Sequence, residues 1–220
     1  MGARPAMRRA VSEVPDDVAA VRALTHALVA ADADDDTRAA VAATAGALVA
    51  DLDAAPRRVR VIPRFADMAA GIEPDPSHRT DAMADRAVAG WLSPVGIELD
   101  LREDGDDVVA DVVFGRAFQG APGRVHGGMV AAAFDDITGF VLARVRTPAF
   151  TGQLTVTYRA PVPVETEVEF RARLREERGR KLFVGAEARL ADRVLATADV
   201  TFISVGQEHF ETHASTLLES

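Results

Sequence analysis

Residues 129–145, MVAAAFDDITGFVLARV, are apolar on nearly every side of a helical wheel. A helix of that kind has to be surrounded around most of its circumference. What can surround it follows in the chain. The segment 164–175 alternates strictly, with Val164, Thr166, Val168, Phe170, Ala172 and Leu174 on one face and Glu165, Glu167, Glu169, Arg171, Arg173 and Arg175 on the other. That is a strand with one buried and one wet face. It belongs to a four-strand run that starts at 151–158 and continues, past turns at 178–180 and 191–193, into 181–190 and 194–205. Ahead of the helix, 95–101 and 108–114 read as a hairpin with an acidic turn at 102–107. Short links favour antiparallel neighbours, so the expected class is α+β, a curved antiparallel sheet wrapped around one buried helix.

The first quarter of the chain has another character. Residues 15–55 read as two helices, the first opened by Pro15, Asp16 and Asp17 with Val18, Val21, Leu24 and Leu28 along one side. Asp34, Asp35, Asp36 and Thr37 separate it from the second, whose stripe is Val41, Leu48, Val49 and Leu52. Both are rich in Ala with narrow apolar faces, which suits helices packed on something else, here a helical hairpin docked on the main domain. Pro63, Gly71, Pro74 and Pro76 then punctuate a polar connector with a short helix expected near 81–88. The resulting division is 1–90 as helical extension and connector, 91–206 as the main domain and 207–220 as a frayed tail.

With 48% apolar and 27% charged residues among 220, the chain can bury one sizeable core. Its formal charge is −9, the wrong sign for a nucleic-acid binder. The absence of cysteine excludes disulfides, thiolate nucleophiles and thiolate metal sites. His78 reads as a solvated loop residue, and His209 and His213 on the tail make a poor metal site, so no metal is expected. No targeting signal or apolar span is read, and the expected compartment is the cytoplasm.

The segment 120–140, GAPGRVHGGMVAAAFDDITGF, holds the candidate chemistry. Gly127 and Gly128 stand where a loop becomes a helix, and a first helical turn exposes unpaired N–H groups backed by the positive end of the dipole. Without Cβ atoms there, either N–H can approach and polarise a thioester or ester oxygen. Paired glycines also serve simply to let the chain turn tightly into a buried helix. Asp135 and Asp136 lie mid-helix among apolar residues, where an ionised carboxylate is costly unless paired, hydrogen-bonded or used. They point about 100° apart, so one can pair with an Arg while the other faces a cleft as general base or nucleophile. Gly127 and Asp135 are eight residues apart, roughly 12 Å along a helix, too far to act on one carbonyl. If both are catalytic, they come from two subunits related by a two-fold axis.

Val125-His126-Gly127-Gly128, an Asp nine positions after the His, Thr151-Gly152 at a strand start and TVTYRAPVP over 155–163 together resemble the hotdog-fold acyl-CoA thioesterases of the PaaI type. The resemblance covers about 91–206 and leaves out the N-terminal helices. It implies metal-free hydrolysis of acyl-CoA thioesters, with no cofactor, by homodimers or dimers of dimers. Carried onto this chain, the Gly127 N–H would hold the thioester oxygen, Asp135 of the partner subunit would attack or activate water, and His126 would support the loop or the leaving thiolate. Thr151 would help place the water. Some relatives carry Asn six positions before the His, where this chain has Gly120, and Gln119 next to it is the substitute. Gly128 and Arg159 complete the expected substrate contacts, Arg159 standing among several cations available for CoA phosphates. A hotdog module that binds acyl-CoA without turning it over is the alternative from a different class. Hydration of an enoyl-CoA finds no Asp and His five apart to support it.

Overall fold

The computed structural model describes residues 14–56, 84 and 86–205. His78, His209, His213, the frayed tail and most of the short helix expected near 81–88 lie outside the described residues. Among those described, six strands form one antiparallel sheet in the order β1-β2-β4-β5-β6-β3. They are β1 (Glu98–Asp104), β2 (Asp107–Val113), β3 (Ala149–Tyr158), β4 (Glu167–Arg178), β5 (Lys181–Leu190) and β6 (Arg193–Ser204). Register shifts at 151/153, 174/176 and 188/189 add the local twist that lets such a sheet curl.

One long helix, α3 (Gly127–Val145), lies against the sheet, and Val130, Ala133, Phe134, Ile137, Thr138, Phe140, Val141 and Leu142 are buried along it. Most of its large apolar side chains are buried as its sequence demands, while Ala131, Ala132, Asp135 and Gly139 are half-buried. Phe134 meets Phe170 of β4 edge-on, with ring centroids 5.0 Å apart, and Phe170 in turn meets Phe114 at 6.1 Å. The expected alternation of β4 holds from Val168 onward, with Val168, Phe170 and Ala172 buried. Its first residues do not join the ladder, because Glu165 turns through a left-handed φ of 55° and its N–H bonds to the Phe114 carbonyl.

The acidic turn is tighter than the sequence suggests. Asp104 pairs with Asp107 across the hairpin, leaving only Gly105 and Asp106 in the bend, with Gly105 at φ 58°. The acids are drawn into the ladder by arginines on the outer face. Arg171 bonds Asp104 and Asp107 at 2.8 Å each, and Arg173 also bonds Asp107. Burial alone would push the Asp107 carboxyl up, but these guanidinium hydrogen bonds outweigh it and hold the carboxyl below its usual range.

Two helices, α1 (Asp16–Ala30) and α2 (Asp35–Ala54), form near where the sequence places them. Asp34 does not merely separate them. It caps α2, its side chain accepting the Thr37 N–H at 2.8 Å, so Asp35 to Thr37 become the first helical turn. The expected mode of docking is corrected. The two helices do not pack along one another, and the apolar stripes face outward, Leu24 and Leu28 of α1 and Leu48 and Leu52 of α2 all being exposed. Among the described residues, the side-chain hydrogen bonds from these helices to the domain come from α1, through Arg22 and His26. The connector's last residues already pack into the core, with Ala84 and Ala89 buried.

Candidate active site

The loop before α3 is held on both sides. Gln119 and Val125 form a bridge pair, the Gln119 Oε1 accepts the Gly123 N–H at 3.0 Å, and Arg124 pairs with Pro163. The Val125 N–H bonds to Val162 O and the His126 N–H to Phe118 O at 2.8 Å. His126 therefore enters the helix at a fixed angle, as its N-cap residue.

Its imidazole does the capping. Nδ1 accepts the Gly128 N–H at 3.0 Å, and because an amide only donates, Nδ1 is the unprotonated nitrogen and Nε2 carries the hydrogen. That bond distinguishes the two glycines. Gly128, expected among the substrate contacts, has its N–H engaged by His126, whereas the Gly127 N–H meets no acceptor among the described residues. The Gly127 carbonyl is fixed from the other side by the Tyr158 hydroxyl at 2.7 Å, and a Cβ at Gly127 would crowd that oxygen at 3.3 Å. The sequence reading missed Tyr158 as an individual residue. Being the chain's one tyrosine, on a strand reaching back to the helix start, was the available signal.

The adjacent aspartates separate as their angular offset requires. Asp136 turns into the domain, where Oδ2 accepts the Ala89 N–H at 2.7 Å and Oδ1 lies 3.8 Å from the Arg86 guanidinium. Burial pushes its carboxyl up, the Ala89 N–H and Arg86 pull it down, and the nearby Asp135 charge adds to the rise. Asp135 points the other way, half-exposed, and its Oδ1 accepts the Thr151 hydroxyl at 2.8 Å. The structure thus brings Asp135 and Thr151 together in one chain. It does not bring Gly127 to Asp135, which lie two helical turns apart on the same continuous helix. Gln119 and Arg159 are exposed near the loop and at the end of β3, and the Arg159 guanidinium has no partner among the described residues.

Residues 122–197 match the family model described as the thioesterase superfamily. This segment is a thioesterase-superfamily domain. The chain is 34% identical over 91 residues to acyl-coenzyme A thioesterase THEM4 of Mus musculus, covering 41% of this chain and 39% of that protein. To the Bos taurus protein of the same name it is 28% identical over 127 residues, covering 56% and 52%. The chain thus spans about half or less of the curated relatives it matches. A crystal structure described as a thioesterase superfamily protein superposes with a TM-score of 0.71 at 23% identity, covering 89% of this chain and 91% of that one. The likeness is one of fold, and the fold is the hotdog fold. The thioesterase-superfamily match includes His126, both glycines, Asp135, Thr151 and Tyr158, but neither α1 nor α2.

Among the described residues no group of His, Asp and Glu side chains is arranged to hold a metal ion. No described helix is long and apolar enough to cross a membrane.

Proposed function

We propose that this chain hydrolyses an acyl-CoA thioester to the free acid and CoA, by Asp-dependent chemistry at a site shared between two copies. The observation that carries this reading is the half-exposed Asp135 carboxylate tethered by Thr151, on the same helix as an uncommitted Gly127 N–H. The names of the THEM4 relatives suggest the substrate class. The site is assembled by the main domain, taken as 91–206, with 1–90 as an extension and 207–220 as a tail.

The two-copy arrangement follows from distance and from an open edge. Strand β3 hydrogen-bonds β6 on one side, and its other edge pairs with no strand among the described residues. An unpaired edge strand is a template for a second chain. Two-fold pairing along β3 would set two α3 helices antiparallel, bringing Asp135 of one copy towards the Gly127 end of the other. Homodimers, or dimers of them, are the proposed assembly.

In the reaction, Asp135 takes a proton from water as the water oxygen bonds to the thioester carbon. The Thr151 hydroxyl fixes one carboxylate oxygen and leaves the other to meet that water. Negative charge gathers on the former carbonyl oxygen, where the Gly127 N–H and the helix dipole stabilise it. Collapse breaks the C–S bond, and the thiolate receives the proton held by Asp135, while the exposed His126 Nε2–H hydrogen-bonds the leaving sulfur. In direct attack, Asp135 forms an acyl anhydride that water then hydrolyses, with the same net balance. Gln119 retains its amide N–H groups for substrate, and Arg159 offers a free charge to CoA phosphate.

The test is thiol release from short, medium, long and aromatic acyl-CoAs by wild type and Asp135→Asn. A fall of about a hundredfold or more in the variant supports the reading. Acyl-CoA binding without release by wild type would replace it with a ligand-binding module.

A further inference from the structure

Helix α1 lies outside the matched domain, yet it is fastened at two points that both lead to the candidate site. Arg22 and His26 are one helical turn apart, on a face rotated away from the apolar stripe. The Arg22 guanidinium is buried and donates to Ser93 O at 2.9 Å and Gly90 O at 2.7 Å. This pins 90–93, directly after Ala89, whose N–H holds Asp136 beside Asp135. The His26 Nδ1 accepts the Ala117 N–H at 3.1 Å, and its ring meets Phe118 edge-on at 5.2 Å. Phe118 O in turn accepts the His126 N–H, immediately before Gly127.

The domain is shaped to receive both side chains. A Cβ at Gly96 would lie 2.5 Å from Arg22 Nη2, and one at Gly115 would lie 2.4 Å from the His26 ring. A helix serving only as a tether needs neither a desolvated guanidinium nor two glycine seats. Burial lowers the Arg22 pKa against the opposing charge of Glu98.

We infer that α1 is a positioning element of the site, and that His26 is a positioning residue that holds the 115–118 turn so that the Gly127 N–H is correctly aimed. This rests on the thioesterase reading above. His26 touches no reacting atom in this scheme. It acts through Ala117, Phe118 and His126, and its contribution lies in the geometry of the donor on which the developing oxyanion depends.

The experiment compares wild type, His26→Leu, His26→Asn and the exposed-site control Val29→Ser. It reads kcat and KM for thiol release and amide hydrogen exchange over 115–130. His26→Leu keeps bulk but loses the acceptor, so kcat is expected to fall on the order of tenfold, with KM changed by less than about twofold. Exchange in 115–128 should quicken. An Asn Oδ1 can take the place of the His Nδ1, so His26→Asn should recover most of both. Unchanged exchange in His26→Leu overturns the inference, as does quickened exchange with unchanged kcat. An equal fall in all three variants, matching a loss of folded protein, also overturns it. If wild type turns over no acyl-CoA, the thioesterase reading falls with the catalytic half of this inference. The exchange pattern then decides separately whether α1 orders the turn.

Discussion

Helices α2 and α3 are nearly equal in length, 20 and 19 residues, and both carry apolar residues at helical spacing. Yet α3 buries eight residues and α2 buries none. The difference lies in side-chain volume around the wheel. On α3, Val130, Phe134, Ile137, Phe140, Val141 and Leu142 present large groups in several directions, and only a sheet curled around the helix covers them. On α2, eight of the 20 residues are Ala and the larger side chains are confined to one narrow line. Such a line buries too little per turn to fix a helix by itself. Helix α1 is therefore held by directional polar contacts at Arg22 and His26, whereas the domain is held by packing.

The most direct way to break this comparison is at Phe134, fully buried between α3 and β4. Phe134→Ala is expected to cost about 3–5 kcal/mol of unfolding free energy, from lost transfer and an unfilled cavity. Chemical denaturation measures it. A cost under about 1 kcal/mol would mean that the contact between α3 and the sheet is not what holds the domain together.

A smaller effect is expected from Asp136, the acid that α3 turns into the domain. Burial pushes its carboxyl above the ordinary 3.8, despite the Ala89 N–H and Arg86. A carboxyl raised by folding favours the native state when protonated. That contribution is complete below 3.8 and is lost as the pH rises through the folded-state value. Asp136→Asn keeps an acceptor for the Ala89 N–H and never ionises. Its stability relative to wild type should therefore climb between acid and neutral pH and level off above the folded-state value. Denaturation midpoints at several pH values check this, and a variant whose stability relative to wild type falls with rising pH would reverse the assignment of burial as the dominant cause.

The same contrast explains what could be read in advance. The α3 wheel and the β4 alternation are local patterns with one packing solution each, and they located the buried helix and the meander. The separation of Asp135 from Asp136 was legible because helical geometry alone forbids a shared direction. The partners were not. Nothing in local sequence tells Asp136 that it will meet the Ala89 N–H, 47 positions away, or Tyr158 that it will reach the Gly127 carbonyl, 31 away. The His126 cap on Gly128 lies within two residues and was open to a capping argument, yet the paired glycines drew attention to themselves instead. For α1, the polar pair Arg22 and His26 at i and i+4 was the visible signal, and the apolar stripe beside it pointed to the wrong face.

The smallest effect is expected at Leu52, 73% exposed near the end of α2. In an isolated chain, Leu52→Ser removes an apolar group already in water, so unfolding stability should change by less than about 0.5 kcal/mol. The measurement is informative because its failure has one physical source. A loss several times larger would require that Leu52 be covered in solution. If a second copy supplies the cover, the loss must shrink on dilution, because the stabilisation then depends on protomer concentration. A loss independent of concentration would instead place the cover within the chain itself. Either result would move α2 into the packed class that α3 represents.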